Sequence, residues 1–186
     1  MLLIIISMII MALIVVADQV SKLLVLANIP LRTSVEVIPG VFKFTYIQND
    51  GAAFGMLDDA RWVFMLLSTV AIIGAIAYMF IKKPQSKLLC ISLAFVVGGG
   101  IGNMIDRVRL GYVVDFLDFC AFPKLWMWNF NVADSFVVVG AGMLMLWMVL
   151  DLIREIKEEK AQKAMADAQN DAESVEESES ESEDNE

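Results

Sequence analysis

The sequence of 186 residues contains no histidine. That absence excludes Ser-His-Asp and Cys-His catalysis, an HExxH zinc site and a histidine pH switch, because each needs an imidazole. Cysteine is nearly missing as well. Cys90 sits in a hydrophobic run and Cys120 beside aromatic residues, with no CxxC or Cys/His cluster. Neither a metal site nor a disulfide is therefore expected. Charge is scarce in most of the chain. Residues 151–186 hold fourteen acidic and four basic side chains, whereas residues 1–150 hold nine and ten. The net charge of −9 thus belongs to an acidic tail, and the nearly neutral body gives no reason to expect a nucleic-acid partner. Acid–base chemistry near neutral pH would fall to carboxylates with displaced pKa values.

What the sequence has in excess is apolar residues: 58% of the chain, with a mean hydropathy of +0.66. Ordinary soluble domains use about 45–50%. Four stretches approach the ~20 residues that a bilayer-crossing helix needs: roughly Leu2–Ala17, extendable to Leu26, then Trp62–Ile81, Leu88–Ile105 and Val132–Leu152. The first lacks a basic leader, and VVAD is a poor cleavage site, so it reads as a retained helix rather than a signal peptide. Lys82, Lys83 and Lys87 crowd the short turn between spans two and three, and Arg154, Lys157, Lys160 and Lys163 follow span four. This bias predicts cytoplasmic termini and two long loops facing outward. In the first of these loops, Phe42, Phe44 and Tyr46 alternate with Lys43, Thr45 and Ile47, which is strand periodicity after a Pro-Gly turn. In the second, Phe122, Trp126, Trp128 and Phe130 suit an interfacial aromatic belt. The fold expected is a mainly α, polytopic membrane protein: four transmembrane helices with a small extracytoplasmic β-sheet in the first outer loop. Residues 1–155 would form this domain. Residues 156–186, dense in like charge, predict a disordered acidic cytoplasmic tail.

Ionisable side chains near membrane depth cost about 2.5–3.5 kcal/mol each at a helix centre, so the placement of unusual polar residues is informative. Asp18 and Lys22 stand at i, i+4 near the outer end of span one, and Asn103 and Arg107 repeat that spacing at the outer end of span three. Asn131 and Asp134 lie at the outer mouth of span four, and Asn49 and Asp115 in the outer loops. All of them gather at one membrane surface. Each has a plain structural reading. Asp18–Lys22 reads most simply as an ion pair at a helix end, Arg107 as snorkelling to headgroups, Asp106 as facing water and Asp134 as complementing a helix dipole. The glycines at 98, 99, 100 and 102 read as permitting close helix approach. Asp115 in YVVDF and Asp134 in NVADS, both embedded in apolar sequence, are harder to explain in this way. Two carboxylates at hydrogen-bonding distance share one proton, giving a general base and a proton donor without histidine or metal. A proton or cation relay in a transporter is a second reading, but it expects ionisable groups through the full membrane depth, and the inner halves of the spans lack them. A structural scaffold is a third.

The blocks DQVSK, NDGAAFG, GGGIGNMIDRVRLGYVVDF and FNVADS, in this order across residues 10–150, resemble lipoprotein signal peptidases (signal peptidase II). Glycines stand in GGGIGN and AAFG where the family often has alanine and serine. The resemblance implies an aspartic endopeptidase of the bacterial cytoplasmic (inner) membrane, with the active site at the outer surface. It would remove signal peptides from prolipoproteins before the diacylglyceryl-modified cysteine. Asp115 and Asp134 then correspond to the catalytic pair, and Asp18, Lys22, Asn49, Asn103, Arg107 and Asn131 to the polar residues around it. Gly51, Ala52, Phe54 and Gly99 fall within family blocks and are implied as supporting or substrate-binding positions. The implied partners are diacylated prolipoproteins, membrane lipids and globomycin-type inhibitors. No cofactor, metal or oligomer is implied.

Overall fold

The computed structural model describes residues 1–51, 60–121 and 128–183. Four helices and three strands follow one another along them: α1 (Leu2–Asn28), β1 (Ser34–Ile38), β2 (Phe42–Asn49), α2 (Ala60–Lys82), α3 (Lys87–Arg109), β3 (Val113–Phe119) and α4 (Val132–Glu183). Four helical segments are long and apolar enough to cross a membrane: Leu2–Asn28, Met65–Lys82, Lys87–Arg109 and Val132–Lys163. These match the four hydropathy stretches. The helix ends follow local chemistry. α1 stops ahead of Pro30, whose ring disfavours helical geometry in the residue before it. α3 starts at Ser86, whose hydroxyl accepts the Leu89 amide at 3.3 Å. Just past its end at Arg109, Gly111 takes φ +86°, a left-handed conformation that glycine adopts without penalty, and redirects the chain into β3.

The strands form one antiparallel sheet in the order β1-β2-β3. The sheet was expected within the first outer loop alone. Its third strand instead comes from the connection between α3 and α4, so both long loops build it. The alternating segment forms β2 as the periodicity predicts. Phe44 and Tyr46 pack with Val114 and Phe116 of β3 over Val25 and Ile29 at the end of α1, seating the sheet on that helix. β3 was not anticipated because VVDFLDF lacks clean alternation, and its first four residues are all buried.

Glycines set the spacing of the helices. A Cβ at Gly98 would lie 3.1 Å from the Ile14 side chain of α1. One at Gly99 would collide with the Ala133 carbonyl oxygen and the Val137 side chain of α4, and one at Gly102 would come 2.6 Å from Asp18 Oδ2. The close-approach reading of this run holds. Cys90 and Cys120 are both free thiols.

α4 differs from expectation in length, continuing as helix through the acidic segment to Glu183. Alanine, glutamate, lysine and glutamine, which recur there, are strong helix formers. Arg154 begins the polar stretch by pairing with Asp151 at 2.9 Å and Glu158 at 3.6 Å along the helix.

Gly99→Ala should lower stability by about 1–3 kcal/mol, the usual effect of overpacking, read as a reduced thermal unfolding temperature in detergent. Gly142→Ala, where a Cβ meets nothing within 4 Å, should leave it unchanged or slightly raised. Equal behaviour of the two variants would contradict the packing described.

Candidate active site

The polar residues form one connected, largely buried network. At its centre is Lys22. Its Nζ lies 2.9 Å from Asp18 Oδ2 and 2.9 Å from Asp106 Oδ2, and donates to Asn103 Oδ1 at 2.9 Å. The three side chains of this charged group are only 2%, 0% and 3% exposed, for Lys22, Asp18 and Asp106. An ammonium has three N–H donors and no acceptor, and here each donor has its own oxygen. The carboxylates are satisfied in turn. Asp18 Oδ1 accepts the Ala133 amide at 2.9 Å and Asp106 Oδ2 the Val114 amide at 3.1 Å. Gln19 Nε2 lies within hydrogen-bonding distance of Asp106 Oδ1 (2.9 Å), Gly102 O (3.1 Å) and Asp18 Oδ2 (3.2 Å). No buried side-chain nitrogen or oxygen among the described residues lacks a partner. The Asp18–Lys22 pair is thus the structural ion pair expected, but Asp106 does not face water. It closes the pair into a triad because α1 covers the helix face it occupies.

Asp115 and Asp134 reach this network from two sides. A bridge between Leu117 and Phe130, with amide–carbonyl bonds of 2.7 and 3.0 Å, brings the chain before α4 alongside β3. Asn131 follows directly and caps α4. Its Oδ1 accepts the Asp134 amide at 2.8 Å while Asp134 Oδ2 accepts the Asn131 amide at 3.2 Å, a reciprocal capping box that fixes the Asp134 backbone and carboxylate together. The Asn131 side-chain amide donates to Asp115 Oδ1 at 2.7 Å and to Asn103 Oδ1 at 3.1 Å. Asn103 Nδ2 donates to Asp134 Oδ1 at 2.7 Å. From β2, Asn49 Nδ2 donates to Asp115 Oδ2 at 2.8 Å, and Asn49 Oδ1 accepts the Gly51 amide at 2.9 Å. Asn131 therefore touches both carboxylates, one through its side chain and one through its backbone.

Burial, followed by the neighbouring Asp134 carboxylate, pushes the Asp115 pKa up to about 7; the hydrogen bonds from Asn49 and Asn131 and the Lys22 charge oppose the rise. A carboxyl in this state can carry a proton or release one at neutral pH, as acid–base work requires. Asp134, Asn103 and Arg107 border a cleft of about 270 Å³ whose other walls are mostly apolar, including Ala71 and Ile72 of α2, Val97 of α3 and Val137 of α4. Arg107 Nη1 lies 3.5 Å from the Asn103 carbonyl oxygen. Among the described residues, no group of three or more His, Cys, Asp or Glu side chains is placed to hold a metal ion.

Of the positions expected from sequence, Asp18, Lys22, Asn49, Asn103, Asn131, Asp115 and Asp134 meet in the network, and Arg107 lines the cleft. Gly51 meets the network through its amide. Gly99 lies at the contact between α3 and α4, where its lack of a side chain admits Ala133. Ala52 and Phe54 lie outside the described residues, as do Phe122 and Trp126. Asp106 and Gln19 were not anticipated. The available signal was spacing: Asp106 lies three residues after Asn103, on the same helix face, and Gln19 adjoins Asp18.

Lys22→Met should cost about 3–5 kcal/mol, because it strands two buried carboxylates without their counter-charge. Denaturant or thermal unfolding in detergent would measure this, and a change below about 0.5 kcal/mol would contradict the triad.

Residues 10–150 match the family model for signal peptidase (SPase) II. The chain is 46% identical over 138 residues to a lipoprotein signal peptidase of Symbiobacterium thermophilum, covering 73% of this chain and 89% of that one. It is 48% identical over 132 residues to a lipoprotein signal peptidase of Streptococcus thermophilus, with 69% and 82% covered. A solved structure described as a bacterial membrane enzyme, obtained by the in meso method at 2.3 Å resolution, superposes with a TM-score of 0.71 at 29% identity, covering 78% of this chain and 88% of that one.

Proposed function

The chain belongs to the signal peptidase II family, a family of aspartic peptidases, and from that premise we propose that it cleaves signal peptides from bacterial prolipoproteins, before the diacylglyceryl-modified cysteine, with Asp115 and Asp134 as the catalytic pair. The observation that carries this reading is the joint hold of Asn131 on both carboxylates, 2.7 Å to Asp115 and 3.2 Å to Asp134. The Asp134 charge opposes ionisation of Asp115, so the pair would hold one proton between them near neutral pH. The ionised member takes a proton from water, and the resulting nucleophile attacks the scissile carbonyl carbon. The protonated member donates to the carbonyl oxygen as charge develops there. Collapse of the tetrahedral intermediate breaks the C–N bond, and the proton taken from water passes to the leaving amine. One proton again remains on the pair, ready for the next turnover.

The cleft supports the substrate assignment. Its apolar walls between α2, α3 and α4 suit the hydrophobic segment of a signal peptide, and its polar end, at Asn103, Arg107 and Asp134, suits the backbone near the scissile bond. Arg107 would hold the peptide carbonyls or the lipid headgroup region, and a globomycin-type depsipeptide would compete for the same cleft. The lysines at the α2–α3 turn and after span four favour cytoplasmic termini in the inner membrane, with the pair at the outer surface. Residues 156–186 lie outside the family match and supply none of these groups.

Purified protein should cleave a diacylated lipoprotein precursor, and Asp115→Asn or Asp134→Asn should each lower kcat by at least about 10³-fold while leaving the protein folded. Near wild-type cleavage by either folded variant would overturn the assignment.

A further inference from the structure

A second groove lies between α2 and α3, beside the cleft that Asp134 borders, sharing Ile72 with it but neither Asp115 nor Asp134. It has a volume of about 440 Å³, and its lining is apolar apart from Thr69 and Arg109: Ile72 of α2, and Ile101, Met104, Ile105 and Val108 of α3. From Ile101 to Arg109 the groove follows α3 for about 12 Å at 1.5 Å per residue, most of one ~15 Å hydrocarbon leaflet. Arg109 stands at the terminus of α3 and is exposed, so in a bilayer its guanidinium would lie toward the headgroup level. Among the described residues its one side-chain bond is long, 3.4 Å from Nη1 to Gln19 Oε1, so within this set most of its N–H donors are available to a ligand.

In a bilayer an apolar groove of this kind is filled by hydrocarbon, and the charge at its rim selects the headgroup. We propose that this groove binds an anionic phospholipid of the membrane, one acyl chain lying along α3 and the phosphate meeting Arg109. The neutral diacylglyceryl group of a substrate offers Arg109 no charge to pair with, which favours a resident phospholipid over the substrate's own lipid. The site is separate from the catalytic pair and depends only on the chain spanning a membrane. Through Gln19, which also contacts Asp106 and Asp18, the headgroup would lie two side chains from the buried triad.

The test is native mass spectrometry of the full-length protein, released from detergent micelles containing equimolar phosphatidylglycerol and phosphatidylcholine of matched chains. The wild type should retain phosphatidylglycerol in roughly fivefold preference, the effect of about one basic side chain near an anionic surface. Arg109→Gln should abolish the preference and Arg109→Lys should keep it. Thr69→Trp, which adds an indole to the groove from α2, should reduce retention of both lipids. Unfolding temperatures confirm that each variant is folded. Equal retention of the two lipids by wild type, or a preference unchanged in Arg109→Gln, would overturn the proposal. So would displacement of bound phosphatidylglycerol by a neutral diacylglyceryl peptide, which would assign the groove to substrate.

Discussion

The site depends on one buried ammonium group. Lys22 has only donors, and its three oxygen partners come from α1 (Asp18) and from two positions on α3 (Asp106 and Asn103). That geometry does more than join two helices. Because Asn103 must present its oxygen to Lys22, its NH₂ group is turned the other way, toward Asp134. The charge triad thereby orients the amide that holds a candidate catalytic carboxylate. A buried ion pair of this sort contributes little net stability compared with apolar packing, since desolvation offsets most of the Coulomb attraction. Its effect is on arrangement: with each donor matched to one acceptor, alternatives leave a charge stranded.

The backbone closes around this group by close contacts that only small residues permit. Gly98, Gly99 and Gly102 let α3 lie against α1 and α4, so that the Ala133 amide reaches Asp18 and the Val114 amide reaches Asp106. The sheet completes the enclosure from the loop side. β3 carries Asp115, β2 carries Asn49 beside it, and the Leu117–Phe130 bridge aligns Asn131 between Asp115 and Asp134. Five elements thus contribute to one set of hydrogen bonds, and the carboxylates are held before a substrate arrives. Such preorganisation lowers the reorganisation needed when charge develops in a reaction.

Much of this was legible from the residue order. Hydropathy located all four spans, because the length needed to cross a bilayer leaves a long, uninterrupted apolar signal. The polar residues at the span ends stand out against their apolar neighbours, and without histidine acid–base chemistry falls to carboxylates. Asp106 reads as facing water because it is a charged residue at a helix end, and no one-helix pattern reveals that α1 covers its face. β3 was hidden because strands buried on both faces lose the alternation that betrays them. The long α4 reflects residue propensities that the acidic composition masked.

Under the proposed function, Asp115 and Asp134 act as an electrostatically coupled pair. The most direct test is a ¹³C NMR titration of the Asp115 carboxyl in detergent, in wild type and in Asp134→Asn. The wild-type group should titrate near 7, well above the usual carboxylate value of 3.8. Removing the neighbouring negative charge should lower that value, since less then opposes ionisation, while burial keeps it above the usual range. A wild-type titration near 4, or one that Asp134→Asn leaves unmoved, would contradict the pairing.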